Sequence, residues 1–129
     1  MPVALLVEDN RMNRKLLRDI FSLRFEVLES ADAEQAAELL QEHHPDVIIL
    51  DLQLPGMSGL EFLRLLKGAP ETADIPVVVI SAHAMPDDIR QARASGCVEC
   101  VTKPIVEDPF LFADRMTRLV AAGARKDHD

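Results

Sequence analysis

A chain of 129 residues, 48% apolar and 28% charged, has the size and balance of one folded domain around one buried core. Its formal charge of −8 argues against nucleic acid or an anionic membrane as direct partner, because phosphate binding needs concentrated Lys and Arg, and the 14 cations look scattered, without a basic stripe. The longest apolar runs, such as Val47–Leu50, are too short to span a bilayer. The N-terminal stretch lacks a basic start and ends in Glu8, so it reads as a buried strand, not a secretory signal, and a cytoplasmic location is expected.

In chain order, Val3–Val7 reads as a strand and Arg11–Leu23 as a helix, whose Leu16, Leu17, Ile20 and Leu23 form one apolar face. A strand at Glu26–Glu29 precedes a helix at Ala33–Glu42, with Ala33, Ala36, Ala37 and Leu40 facing in. Val47–Leu50 is the third strand and Ser58–Lys67 the third helix, after a loop marked by Pro55-Gly56. Strand Val77–Ile80, helix Asp87–Ser95, strand Val98–Thr102 and helix Asp108–Ala122 follow, with Pro109 in the first turn of the last helix. Asp9-Asn10 and Ser30–Asp32 offer N-cap side chains, and His43-His44 closes the second helix before Pro45. Phe21, Phe25, Phe62, Phe110 and Phe112 are expected to fill or rim the core. Residues 1–122 are taken as the domain and 123–129 as a polar tail.

Alternating β and α units with non-alternating apolar strands imply a parallel sheet covered by helices on both faces. Five such units suit the flavodoxin-like strand order 2-1-3-4-5, adopted as the common solution for chains of this kind. Ligands in open α/β sheets collect at the carboxyl ends of the strands. There the chain places Glu8-Asp9 after strand 1, Asp51 after strand 3, Ser81 after strand 4 and Lys103 after strand 5. Three crowded carboxylates call for a cation, and an all-oxygen set with positions left for water favours Mg²⁺. A carboxylate can take a phosphoryl group as an acyl phosphate, with the cation, an ammonium and a hydroxyl covering its oxygens. The set fits phosphoryl transfer to aspartate.

The runs Val7–Asn10, Ile48–Gly59, Ile80–Ala82 and Thr102–Pro104 together resemble the signature of the response regulator receiver (CheY-like) family, in order and over essentially the whole chain. The resemblance implies Asp51 as phosphoacceptor and Glu8, Asp9, Asp51 and the Gln53 backbone carbonyl around Mg²⁺. It implies Ser81 as switch hydroxyl, Lys103 on the phosphoryl group, and a cis bond before Pro104. The phosphoryl group would come from a sensor histidine kinase or a histidine phosphotransfer protein. The state would be read on the face made by the fourth helix, fifth strand and fifth helix, in a monomer or weak dimer. The chain would act on itself alone and not as an enzyme on other substrates. Glu8-Asp9-Asn10 followed by Met12-Asn13, and Ala82-His83-Ala84-Met85, resemble the stand-alone DivK type. Two features depart from the common pattern. Cys100 stands where many receivers carry the aromatic switch residue, and Gln53 and His83 flank the water path that sets phosphoryl lifetime.

Rival chemistries fit less well. A dehalogenase-type phosphatase wants a second acid two residues after its nucleophile, where Gln53 stands. A flavin or nucleotide binder wants a phosphate loop after strand 1, where Glu8-Asp9 would repel phosphate. A degenerate receiver that only binds partners remains open because of Cys100. Cys97 and Cys100 form a C-x-x-C, but no histidine pair completes a zinc set and no helix N-terminus follows. Small buried packing residues are the expected reading.

Overall fold

The computed structural model describes residues 1–82 and 85–126, so His83, Ala84 and the end of the tail with His128 lie outside the described residues. The elements run β1 (Val3–Val7), α1 (Arg11–Phe21), β2 (Glu26–Ser30), α2 (Ala33–Glu42), β3 (Val47–Leu50), α3 (Gly59–Gly68), β4 (Val77–Ser81), α4 (Pro86–Ala94), β5 (Glu99–Thr102) and α5 (Pro109–Lys126). All pairings are parallel, as expected from the β/α alternation, and the order is β2-β1-β3-β4-β5, the common flavodoxin-like order adopted for the sequence. No helix among the described residues is long and apolar enough to cross a membrane.

Side chains alternate across a strand, so each central strand feeds two cores. Leu5, Val7, Ile48, Leu50, Val77 and Val79 pack with Ala33 and Ala36 of α2, Phe62, Leu63 and Leu66 of α3, and Ala92 of α4. Ala4, Leu6, Val47, Ile49, Val78 and Ile80 pack on the other face with Leu17, Ile20 and Phe21 of α1 and Phe112 and Met116 of α5. Phe21 meets Phe25 and Phe112 at centroid distances of 5.7 and 5.6 Å, the second edge-on. Phe110 departs from the expected set: it is exposed, with the Arg24 guanidinium 5.7 Å from its ring centroid.

Local signals set the helix starts. Asn10, Asp32 and Ser58 each accept from the backbone N–H three residues on, in Asn13, Gln35 and Glu61. Several expectations from periodicity are corrected. Helix α1 ends at Phe21, so Leu23 lies beyond it, Leu16 is exposed, and Phe21 takes the buried place. The reason is that α1 meets the sheet and α5 along a narrow line that only Leu17, Ile20 and Phe21 reach. In α2, Ala37 is exposed while Ala33 and Ala36 are buried. Helix α5 continues to Lys126, past the expected end at Ala122, because Ala121–Lys126 contains no breaker stronger than one Gly. The cations are not wholly scattered either. Arg11, Arg14, Lys15 and Arg18 stand three and four residues apart and line one groove on α1 with Glu29.

Candidate functional site

Glu8, Asp51 and Lys103 are each the first residue beyond their strand. The ladder holds for one more bond at each: Glu8 N–H donates to the Ser30 carbonyl, Asp51 N–H to Val7 and Lys103 N–H to Ser81, all at 3.1 Å. The three side chains are thus fixed at one sheet end by backbone that cannot slip register. Neighbouring strands lie about 4.8 Å apart, so β5 stands two spacings from β3 and three from β1. Only a long cation can cross that span. Lys103 does so, its ammonium bonded to Glu8 Oε1 and, at 3.1 Å, to Asp51 Oδ2.

Glu8 and Asp51 are buried and Asp9 is exposed, and oxygens of all three lie within 4.8 Å of one another. Among the described residues this is the acidic group close enough to hold a metal ion. Burial, reinforced by the Asp51 carboxylate and opposed by Lys103, pushes the Glu8 carboxyl up to about 7. Burial works against the Lys103 charge too, but bonding to Glu8 and Asp51 outweighs it and raises its affinity for the proton. Three acids against one ammonium leave negative charge uncompensated in a desolvated place. An oxygen-only set of that kind fits a hard divalent cation such as Mg²⁺.

The remaining expected site residues fall as follows. Ser81 closes β4 between Asp51 and Lys103 and is buried. Gln53 donates its N–H to Asp51 Oδ1 at 2.9 Å, while its side chain is exposed. The Lys103–Pro104 bond is cis. Cys100 sits on β5 opposite Val79, half-buried, facing the α2–α3–α4 core. His83 lies outside the described residues.

Two residues given no role in the sequence reading support the site. Arg14 donates to the Glu8 carbonyl at 2.8 Å and the Asp9 carbonyl at 3.5 Å, pinning the acidic loop to α1. A charged side chain one turn into a helix that follows two acids was the available signal. Gly59 opens α3 directly under the Asp51-Leu52 backbone: a Cβ there would stand 2.2 Å from the Asp51 carbonyl oxygen and 2.5 Å from the Leu52 Cα. In the sequence Gly59 reads as part of the first turn of the third helix, after the loop marked by Pro55-Gly56, with no closer role.

Comparison with known proteins agrees with this geometry. Residues 4–113 match the response regulator receiver domain family. The polar-differentiation response regulator DivK of Brucella ovis is 40% identical over 109 residues, which cover 84% of this chain and 89% of that protein. The receiver domain of a signal transduction histidine kinase from Syntrophus aciditrophicus superposes with a TM-score of 0.83 at 27% identity, covering 95% of this chain and 92% of that one. The Mn²⁺-bound form of response regulator Rcp1 superposes with a TM-score of 0.77 at 28% identity, covering 90% and 91%. A doubly wound sheet of this order, an acid pair after β1, an aspartate after β3 and a lysine after β5 therefore place the chain in the response regulator receiver domain family of two-component signalling proteins.

Proposed function

We propose that Asp51 accepts a phosphoryl group from the phosphohistidine of a sensor histidine kinase or histidine phosphotransfer protein, and that the phosphorylated state is read by a protein partner. The observation that carries the reading is the joining of β1, β3 and β5 ends by one ammonium, with Lys103 bridging Glu8 and Asp51. An Asp51 carboxylate oxygen attacks phosphorus, the P–N bond breaks, and the departing imidazole keeps the electron pair and takes a proton from solvent. Lys103, already aimed at Asp51, is placed to follow the negative charge onto a phosphoryl oxygen. The Gln53 N–H on Asp51 Oδ1 holds the carboxyl plane during attack. Glu8, Asp9, Asp51 and the Gln53 carbonyl would hold Mg²⁺, which when bound neutralises charge on the phosphoryl oxygens.

Ser81 ends β4 beside this site and serves as the switch hydroxyl, drawing the segment from Ala82 to Asp88 toward the phosphoryl group. The resulting change is read on α4, β5 and α5. Gln53 and His83 set the lifetime of the acyl phosphate, and the chain processes only its own phosphoryl group. The similarity to DivK, a response regulator, supports a phosphorelay role, and the Mn²⁺ held by Rcp1 supports a hard cation here. We place the protein in the cytoplasm, as a monomer or weak dimer, without nucleic acid or membrane as partner.

Incubation with a histidine phosphotransfer protein carrying labelled phosphohistidine tests the donor class. Label should move to this chain in the presence of Mg²⁺ and fail to move to Asp51→Asn. Equal transfer to the variant would dismiss Asp51 as acceptor.

A further inference from the structure

Cys97 and Cys100 are three residues apart, and in a continuous strand such residues point to opposite faces. Here their sulfurs lie 3.4 Å apart and pack against the same core. The contact arises because β5 starts only at Glu99, after a bend that follows Gly96, whose φ of 107° lies in the left-handed region. The two cysteines are anchored to different elements. Cys97 N–H donates to the Ala92 carbonyl of α4 at 3.2 Å, while Cys100 is laddered to β4 opposite Val79.

We infer that Cys97 and Cys100 form an oxidisable dithiol that closes to an intrachain disulfide tethering the end of α4 to β5. Closure takes the sulfurs from 3.4 Å to the roughly 2.05 Å of a disulfide, a movement of less than a bond length shared by two side chains. Both cysteines are free and Cys100 is the more accessible, so it meets the oxidant first. Burial, together with the neighbouring Cys100 sulfur, pushes the Cys97 thiol up to about 12, so Cys97 is not the group that meets the oxidant first, and it is the 3.4 Å sulfur contact that places it for the second step. The oxidant is a low-molecular-mass disulfide. Cys100 thiolate attacks one of its sulfurs, giving a mixed disulfide and one released thiolate, which takes up the Cys100 proton. Cys97 sulfur then attacks the Cys100 sulfur, the mixed disulfide breaks, and the second small thiol leaves with the Cys97 proton. Two cysteine thiols are oxidised by two electrons, and one small disulfide is reduced to two thiols. The modification depends on neither metal nor phosphoryl group. It would fix covalently the end of α4 to the start of β5.

The test uses the whole folded chain in a series of glutathione to glutathione disulfide ratios. After acid quench, the chain is unfolded and alkylated with N-ethylmaleimide, and its intact mass is measured. Under reducing ratios two labels are expected. Under oxidising ratios no label and a loss of two hydrogens are expected, with both labels restored by dithiothreitol. The linked cysteines should map to the single tryptic segment that follows Arg93. Cys97→Ser should instead hold one glutathione on Cys100. Retention of both labels in the wild-type chain, two separate glutathione adducts, or a disulfide-linked dimer would each overturn the inference. The wild-type result decides the matter even if a serine variant fails to fold.

Discussion

Glu8 carries a side chain that is 1% exposed and faces both Asp51 and Lys103, and burial pushes its carboxyl from its ordinary 4.5 up to about 7. The folded chain therefore binds a proton at Glu8 more tightly than the unfolded chain does. The stability this contributes is complete below about 4.5 and is lost as pH rises through about 7. A displacement of that size corresponds to at most about 3 kcal/mol. Without divalent cation, the urea midpoint should fall between pH 5 and pH 8, and Glu8→Gln should flatten that fall. Mg²⁺ favours the ionised acids, so it should restore the midpoint at pH 8 in the wild-type chain and not in Asp9→Ala. A wild-type midpoint independent of pH and metal would remove Glu8 from an electrostatically strained cluster. The acids themselves were legible because each follows a Val/Ile/Leu run. Arg14 was not, since a helix-surface cation shows its backbone target only once the loop is folded.

At the scale of elements, α3 is seated closer to the end of β3 than its sequence announces. Gly59 N–H donates to the Leu52 carbonyl at 3.0 Å, and the space for any side chain is filled by backbone of Asp51 and Leu52. Gly59→Ala gains helix propensity of about 1 kcal/mol, yet its methyl must push α3 or the Asp51 peptide aside, an overpacking cost of about 1–3 kcal/mol. A net loss of stability is expected from urea unfolding at unchanged slope, together with slower phosphorylation because the Asp51 carbonyl is displaced. A variant as stable and as readily phosphorylated as the wild type would show that α3 can move away freely. Element identity was readable from period and caps, as Asn10, Asp32 and Ser58 show. Faces were less readable. Leu16 has the right period for burial but lines an open groove with Lys103, Pro104 and Ile105, and periodicity carries no information about which helices flank a given face.

Over the whole molecule, strand ends converge from segments far apart in sequence, which is why four short motifs outweigh any one of them. The parallel sheet followed from the β/α alternation, while its strand order was adopted as the common solution for such chains. The contact between Cys97 and Cys100 did not follow, because it depends on a bend before β5 that reading Val98–Thr102 as one continuous strand conceals. The same sheet end that holds Asp51 also holds Ser81, whose strand β4 runs between β3 and β5 and leads toward α4. Beryllofluoride with Mg²⁺ should therefore shift amide resonances mainly from Ser81 to Ser95 and along Glu99–Thr102, and Ser81→Ala should shrink those shifts. Changes confined to Arg11–Phe21 would contradict a route through β4 and α4.

The central claim is that Asp51 is a metal-assisted phosphoacceptor. Its most direct test is intact-mass measurement after exposure to acetyl phosphate, with and without Mg²⁺, on the wild-type chain and Asp51→Asn. The account predicts one added phosphoryl group on the wild-type chain, dependent on Mg²⁺ and labile to hydroxylamine, and none on the variant. An equal gain by Asp51→Asn, or no gain by the wild-type chain with Mg²⁺ present, would contradict it.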